Sequence, residues 1–274
     1  MADQQGRVAV VTGGGRGLGR GVALGLAGAG ATVIAVARDT AQLAETERLG
    51  REAPGSVTGI ACDVADPIAV AALGQTVRER HGTPTILVNA AGMFGPIALI
   101  RDVDPDAWVR TVQVDALAPF LTVRAFLAGM LDTGWGRIVN VTSAASLHPP
   151  GPLNSAYGTA KVALNQLTRH LAAEVAGSGV TANVIHPGDV RTDMWADIRD
   201  KVAALGPIAE GYQQWVTWVD QTGGDPPGKA VDLVLRLTSD AGGAVNGRFC
   251  WIDDPLQPPI ASWDEPSDER PWAK

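Results

Sequence analysis

The sequence predicts an α/β fold: one doubly wound sheet of seven mainly parallel strands with helices on both faces. Three observations predict it. Short β-rich runs alternate with longer stretches of helical periodicity, the pattern of repeated βαβ units. The strand runs are apolar at consecutive positions, as a sheet covered on both faces requires. A glycine-rich turn follows the first run directly and leads into a helix.

Residues 7–12 (RVAVVT) make the first strand, a helix follows near 17–29, and 32–37 (TVIAVA) completes the first βαβ unit. Runs at 57–61, 85–89, 136–141, 180–185 and 247–252 supply five more strands. After residue 156, Ala160, Ala163, Leu164, Leu167, Leu171 and Val175 recur at helical spacing, with Ala156 and Ala172 small enough for close packing. That helix is expected to lie against the sheet and a partner. Two stretches break the alternation: a long insertion at 188–227, ahead of a helix near Gly228, and a Pro-rich acidic tail at 253–274. The expected organisation is one domain over 1–252, including a substrate lid at 188–227, followed by the tail.

Composition narrows the function classes. The chain has 274 residues, long enough for one large core. No apolar run approaches the ~20 residues of a membrane helix, so no membrane role is expected. A net charge of −7 argues against a broad nucleic-acid surface. The N-terminal segment does not read as a secretory signal, which leaves a cytoplasmic location as the expectation. Cys62 and Cys250, far apart in apolar runs, read as reduced buried thiols, and no metal site is expected.

The turn Thr12-Gly13-Gly14-Gly15-Arg16-Gly17-Leu18-Gly19 stands where glycines let backbone amides and a helix N-terminus approach a pyrophosphate. Its spacing, TGxxxGxG, resembles the short-chain dehydrogenase/reductase family, a Rossmann-like fold. The resemblance continues over roughly residues 7–250. Asn89-Ala90-Ala91-Gly92 is similar to that family's NAG motif, Asp63-Val64 to its adenine contact, and Pro187-Gly188 to the turn below the nicotinamide. Val190 and Thr192 resemble residues that touch the nicotinamide amide. The resemblance implies binding by Gly13, Gly15, Arg16, Gly17, Leu18, Gly19, Asp63, Val64, Asn89, Ala90, Gly92, Pro187, Gly188, Val190 and Thr192.

Charge at the end of the second strand bears on cofactor choice. An acidic residue there would bond a ribose 2′-hydroxyl and repel a 2′-phosphate; here Ala37-Arg38 occupies the place. Arg38 offers a planar fork of donors, and Arg16 can reach the same phosphate from the glycine-rich turn. NADP(H) is the expected cofactor, with NAD(H) the alternative if Asp39 serves the ribose.

Tyr157 and Lys161, four apart at a helix start, share a face. A free phenol has a pKa of ~10, and lowering it by three units takes about 4 kcal/mol of differential interaction. A nearby ammonium, together with an oxidised nicotinamide, supplies attraction of that order. In the resemblance, Ser143 orients the substrate oxygen, Tyr157 exchanges its proton, and Lys161 also holds the nicotinamide ribose. The implied reaction is hydride transfer between nicotinamide C4 and a carbonyl or secondary alcohol carbon. A non-catalytic NADP-binding sensor or scaffold is the alternative.

One position departs from the family. Where an Asn commonly helps hold a relay water, this chain has Asp115, in Val112-Gln113-Val114-Asp115. A carboxylate there stabilises the Lys161 ammonium and raises the Tyr157 pKa; a helix-interior substitution, with a backbone carbonyl holding the water, is the other reading.

On the substrate side, Ile208, Tyr212, Trp215, Val216 and Val219 fall at helical intervals and suggest one lid helix, with Trp218 on its flank. Six of the eight tryptophans follow residue 190. This favours a hydrophobic or aromatic ketone, or else ordinary lid packing or an oligomer seam. His148 is placed in the substrate wall or on a solvated loop. Trp263 and Trp272 suggest a tail that folds over a neighbouring subunit. The expected partners are a small carbonyl or alcohol substrate and further copies of the chain, as a homodimer or homotetramer.

Overall fold

Seven strands, β1 (Val8–Thr12), β2 (Thr32–Ala37), β3 (Ser56–Ala61), β4 (Ile86–Asn89), β5 (Gly136–Val141), β6 (Val180–His186) and β7 (Phe249–Trp251), form one sheet. The strands run in the order β3-β2-β1-β4-β5-β6-β7, and every pair is parallel. The computed structural model describes residues 3–147 and 151–252. The expectations for His148 and for the tail at 253–274 lie outside the described residues.

Helices cover both faces: α1 (Gly17–Gly28), α2 (Thr40–Leu49), α3 (Pro67–His81), α4 (Pro105–Val112), α5 (Ala118–Thr133), α6 (Ser155–Glu174), α7 (Asp193–Val202), α8 (Glu210–Thr222) and α9 (Pro227–Thr238). Neighbouring strand residues serve opposite faces because side chains alternate across a strand. Val11 packs with Val22 and Leu26 of α1 and Leu233 and Leu237 of α9. Val10 packs with Leu73 of α3, Phe126 and Met130 of α5 and Leu171 of α6. The consecutive apolar residues of the strands are thus both buried. Cys250 and Cys62 are free and buried, one in each of these clusters.

Helix starts were written locally. Asp39, Asp66 and Asp104 cap α2, α3 and α4 by accepting first-turn backbone N–H groups, and Pro67 and Pro105 follow the latter two caps. A strand end was less legible. β7 is shorter than the expected 247–252: Gly247 has φ +69°, and the Asn246 side chain, not a strand backbone, accepts the Ala182 N–H.

Two expectations are corrected. The insertion carries two lid helices, α7 and α8, because Trp195, Ile198 and Val202 form a second apolar stripe that packs with Val216 and Val219. The second concerns hydropathy. Between α4 and α5 the chain stays helical through a π turn at Gln113–Leu117, giving one rod from Pro105 to Thr133. By length and composition that rod is apolar enough to cross a membrane, with a mean hydropathy of 1.5 in an 18-residue window. Scattered Thr, Gln, Asp115 and Arg124 interrupt the apolar residues, so no continuous run shows in the sequence. In the fold the rod packs against α3, α6, β4 and β5.

Candidate active site

The strand order reverses between β1 and β4, and the crevice beyond their carboxyl ends opens into a cleft of about 1350 Å³. Every expected cofactor-binding or catalytic residue lines this cleft except Asn89 and Asp115.

The glycine-rich turn crosses other backbone at distances only glycine allows. A Cβ on Gly13 would lie 2.8 Å from the Ala90 carbonyl oxygen, and one on Gly19 would lie 2.3 Å from the Gly13 oxygen. The turn is held from behind: Thr46 Oγ1 donates to Gly14 O at 3.0 Å, and Arg20 Nε donates to Gly15 O at 3.0 Å. Thr12 Oγ1 accepts from Ala91 N at 3.2 Å and fixes the Ala90–Gly92 segment beside it. Unlike α2, α3 and α4, α1 starts with no side-chain cap, and its first turn holds no acidic residue. Its N-terminal residues Gly17, Leu18 and Gly19 border the cleft, so backbone donors and a positive helix end fit a pyrophosphate there.

Charge is distributed along the same wall. Arg38 follows β2 and is exposed at the cleft. Asp39 also lines the cleft and caps α2 through Oδ1, accepting from Ala41 N and Gln42 N at 2.9 and 3.0 Å. Arg16 reaches across to the lid and pairs with Asp193 at 3.0 Å. Asp63 pairs with Arg110 at 2.6 Å and accepts from Ala65 N at 3.1 Å. Burial pushes the Asp63 carboxyl up, but the Ala65 N–H and Arg110 outweigh it and hold it below its ordinary range.

Asn89 corrects the sequence expectation. Its amide donates to Asn140 Oδ1 at 2.9 Å and accepts from Thr122 Oγ1 at 2.8 Å; Asn140 in turn donates to Thr168 Oγ1 at 2.8 Å. These buried bonds join β4, β5, α5 and α6, so the Asn89 side chain is spent inside the protein. Ala90, Ala91 and Gly92 face the cleft in its place.

Tyr157 and Lys161 lie on the opening turns of α6, with Lys161 Nζ 5.4 Å from the Tyr157 ring centroid. Tyr157 and Ser143 line the cleft together, and Ser143 Oγ accepts from Ala145 N at 3.2 Å. His186, at the end of β6, accepts from Ala144 N through Nδ1 at 3.2 Å, and its ring packs edge-on against Trp251. The serine loop is therefore tied to a neighbouring strand. Lys161 Nζ donates to Val141 O at 3.1 Å and lies 3.2 Å from Asp115 Oδ2. Asp115 sits on the π turn, fully buried behind the cleft wall, and its Oδ1 accepts from Met93 N at 2.9 Å.

Burial pushes the Tyr157 phenol above its ordinary pKa; Lys161 and the nearby Ser143 hydroxyl oppose this, and Asp115 adds to it. For Lys161, burial pulls downward, but Asp115 and Tyr157 outweigh it and keep the ammonium. Asp115 is itself raised by burial against the pull of Lys161 and the Met93 N–H.

Facing this group, the Phe94 ring lies 4.8 Å from that of Tyr157, tilted by 34°, and Tyr212 of α8 meets Phe94 edge-on at 5.9 Å. Tyr212 is half-buried, which pushes its phenol above the ordinary pKa, and the nearby Asn154 opposes this. Met194, Ile208 and Trp215 complete an apolar wall. Thr192 accepts from Trp195 N at 3.4 Å and starts α7, while Val190 bridges to Gly224.

Phe94, Arg110, Asn154, His186 and Asp193 were not singled out from the sequence. His186 beside Pro187-Gly188 and Phe94 two positions after Gly92 had motif neighbours that pointed to them. Arg110 meets Asp63 across 47 positions, with no local signal.

Residues 7–203 match the model of the short chain dehydrogenase family. A 2-keto-3-deoxy-L-fuconate dehydrogenase of Xanthomonas campestris pv. campestris is 34% identical over 255 residues, 91% of this chain and 79% of its own. A 3-oxoacyl-[acyl-carrier-protein] reductase of Pseudomonas aeruginosa is 36% identical over 214 residues, 76% of this chain and 84% of its own. Among solved structures, a variant actinorhodin polyketide ketoreductase with NADPH superposes with a TM-score of 0.83 at 29% identity, covering 92% of this chain and 97% of that one.

Proposed function

The chain belongs to the short-chain dehydrogenase family and is an oxidoreductase, and from that premise we propose that it is an NADP-dependent ketone reductase for hydrophobic or aromatic substrates. The observation that carries the reading is the stack of Phe94 on Tyr157 with Tyr212 at its edge, which puts a proton donor at the end of an apolar slot. A flat apolar carbonyl compound lies against such rings better than a polyhydroxylated sugar does.

The lining of the cleft supports NADP(H): an uncapped α1 borders the place for the pyrophosphate, Arg38 and Arg16 offer donors to the 2′-phosphate, and Asp39 has one carboxylate oxygen engaged in capping α2. When bound, the dinucleotide supplies the hydride at nicotinamide C4. Ser143 holds the carbonyl oxygen, Tyr157 donates a proton to it, and Lys161 anchors the ribose and balances charge beside the phenol. Alcohol oxidation reverses these roles. The ketoreductase relatives and the NADPH held by the actinorhodin enzyme support the same choice.

A homodimer or homotetramer is part of this reading. Val109, Leu117, Phe120 and Val162 are exposed apolar residues on the 105–133 rod and the adjacent α6. Light scattering should give a mass at least twice that of one chain.

A screen of NADPH consumption across cyclic, aryl and aliphatic ketones tests the activity. Aryl and cyclic ketones are expected to give the highest kcat/KM. NADPH binding without consumption on any ketone would favour the scaffold reading.

A further inference from the structure

Nine ion pairs join described residues, and Lys161–Asp115 is the one in which both side chains are buried, at 5% and 0% exposure. Solvent does not screen it, so its charges act on their neighbours far more strongly than surface charges do. Asp115 has no freedom to leave. Its backbone belongs to the π turn, Oδ1 is bonded to Met93 N at 2.9 Å, and Oδ2 faces Lys161 Nζ at 3.2 Å. Lys161 is equally fixed, with a second bond to Val141 O at 3.1 Å.

Lys161 Nζ lies 5.4 Å from the Tyr157 ring, where an unpaired ammonium would draw the phenol towards phenolate. A fixed carboxylate on the same ammonium opposes that pull. We propose that Asp115 is a positioning residue that holds Tyr157 as the neutral phenol, the form that donates a proton to a carbonyl, and so sets the site for reduction at neutral pH. The inference rests on the proposed proton transfer from Tyr157.

Charge accounting supports it from each side. Among the described residues, Lys161 of its own helix and Asp115 of the π turn act on Tyr157, and Tyr157 acts on Tyr212 of α8; His186 of β6 borders the same cleft and accepts from Ala144 N. Burial raises the phenol pKa, Lys161 lowers it, and Asp115 raises it again. The sign for activity follows. Reduction needs the phenol and declines only as pH rises through its pKa, whereas alcohol oxidation needs the phenolate and grows over that same interval.

The sequence contains two tyrosines, Tyr157 and Tyr212. In a Tyr212→Phe background, Tyr157 is the sole phenol, and ultraviolet absorbance follows its ionisation in the full chain without substrate or turnover. Adding Asp115→Asn, which keeps an oxygen acceptor but removes the charge, is expected to lower the midpoint by about one unit or more, tenfold in proton affinity. A midpoint that enters the measurable range only in Asp115→Asn is the same result. Should that variant not fold, Asp115→Ser, a smaller neutral acceptor, carries the same test.

An unchanged or raised midpoint in a folded variant overturns the proposal, because a merely structural Asp115 would alter thermal stability and leave the phenol alone. The optical result stands apart from the ketone screen: failure to find a substrate leaves it intact, and an unmoved midpoint leaves reductase activity possible.

Discussion

The two ends of the cleft hold charge in opposite ways. At the chemical end, Lys161 and Asp115 are buried, fixed by backbone partners and packed beside Tyr157. At the phosphate end, Arg16 and Asp193 pair with 57% and 64% of their side-chain surfaces exposed. Both are ion pairs near 3 Å, yet they differ in consequence. A buried partner removed from its mate costs about 3–5 kcal/mol, while an exposed pair is worth about 0–1 kcal/mol. Chemistry needs a field that solvent cannot average away; cofactor capture needs arginines that can change partners.

The largest expected effect lies at the buried end. Tyr157→Phe should lower kcat for ketone reduction by about 10²- to 10⁴-fold, the range for loss of a general acid, with NADPH affinity nearly unchanged in a fluorescence titration. A fall in affinity equal to the fall in kcat would mean that the ends are not separable. Next comes Arg38→Asp, which replaces donors by a carboxylate at the end of β2. The ratio of kcat/KM with NADPH to that with NADH should drop by about 10- to 100-fold, as expected for hydrogen bonds to a charged group. If the ratio holds, Arg38 is a solvated surface charge.

Smallest is Asp193→Asn, which frees Arg16 from the lid. The KM for NADPH should fall by less than about fivefold, within the range of an exposed pair, while the KM for NADH stays put. That gain should shrink at high salt, because screening weakens the pair in the parent enzyme already. A larger change, or an equal one with NADH, would show that Asp193 works through lid position.

The fold was legible wherever information was local. Consecutive Val and Ile runs marked the strands, and the glycine-rich spacing from Gly13 to Gly19 marked the turn between β1 and α1; the Asp caps of α2, α3 and α4 and the backbone crossing at Gly13 and Gly19 emerge only in the fold. The same local logic misread Asn89. Its motif position fits the cofactor wall, but its amide is used between strands by Asn140 and Thr122, 51 and 33 positions away. The second lid helix is less legible because the sequence stripe through Tyr212 and Trp215 is the longer one, while the stripe of Trp195 and Ile198 shows its partner only once the two pack together. Asp115 was visible as an unusual residue. Its burial on a π turn was not, since nothing in Val112-Gln113-Val114-Asp115 signals the extra residue in that turn.

The central claim, that hydride passes between nicotinamide C4 and a carbonyl carbon at this site, has a direct measurement. The enzyme is given NADPH carrying deuterium at the transferred C4 position together with the best ketone from the screen, and the alcohol product is analysed by mass spectrometry. One deuterium on the carbinol carbon is expected, and no labelled alcohol from Tyr157→Phe on the same time scale. Alcohol formed without the label, or none from any ketone while NADPH binds, would contradict it.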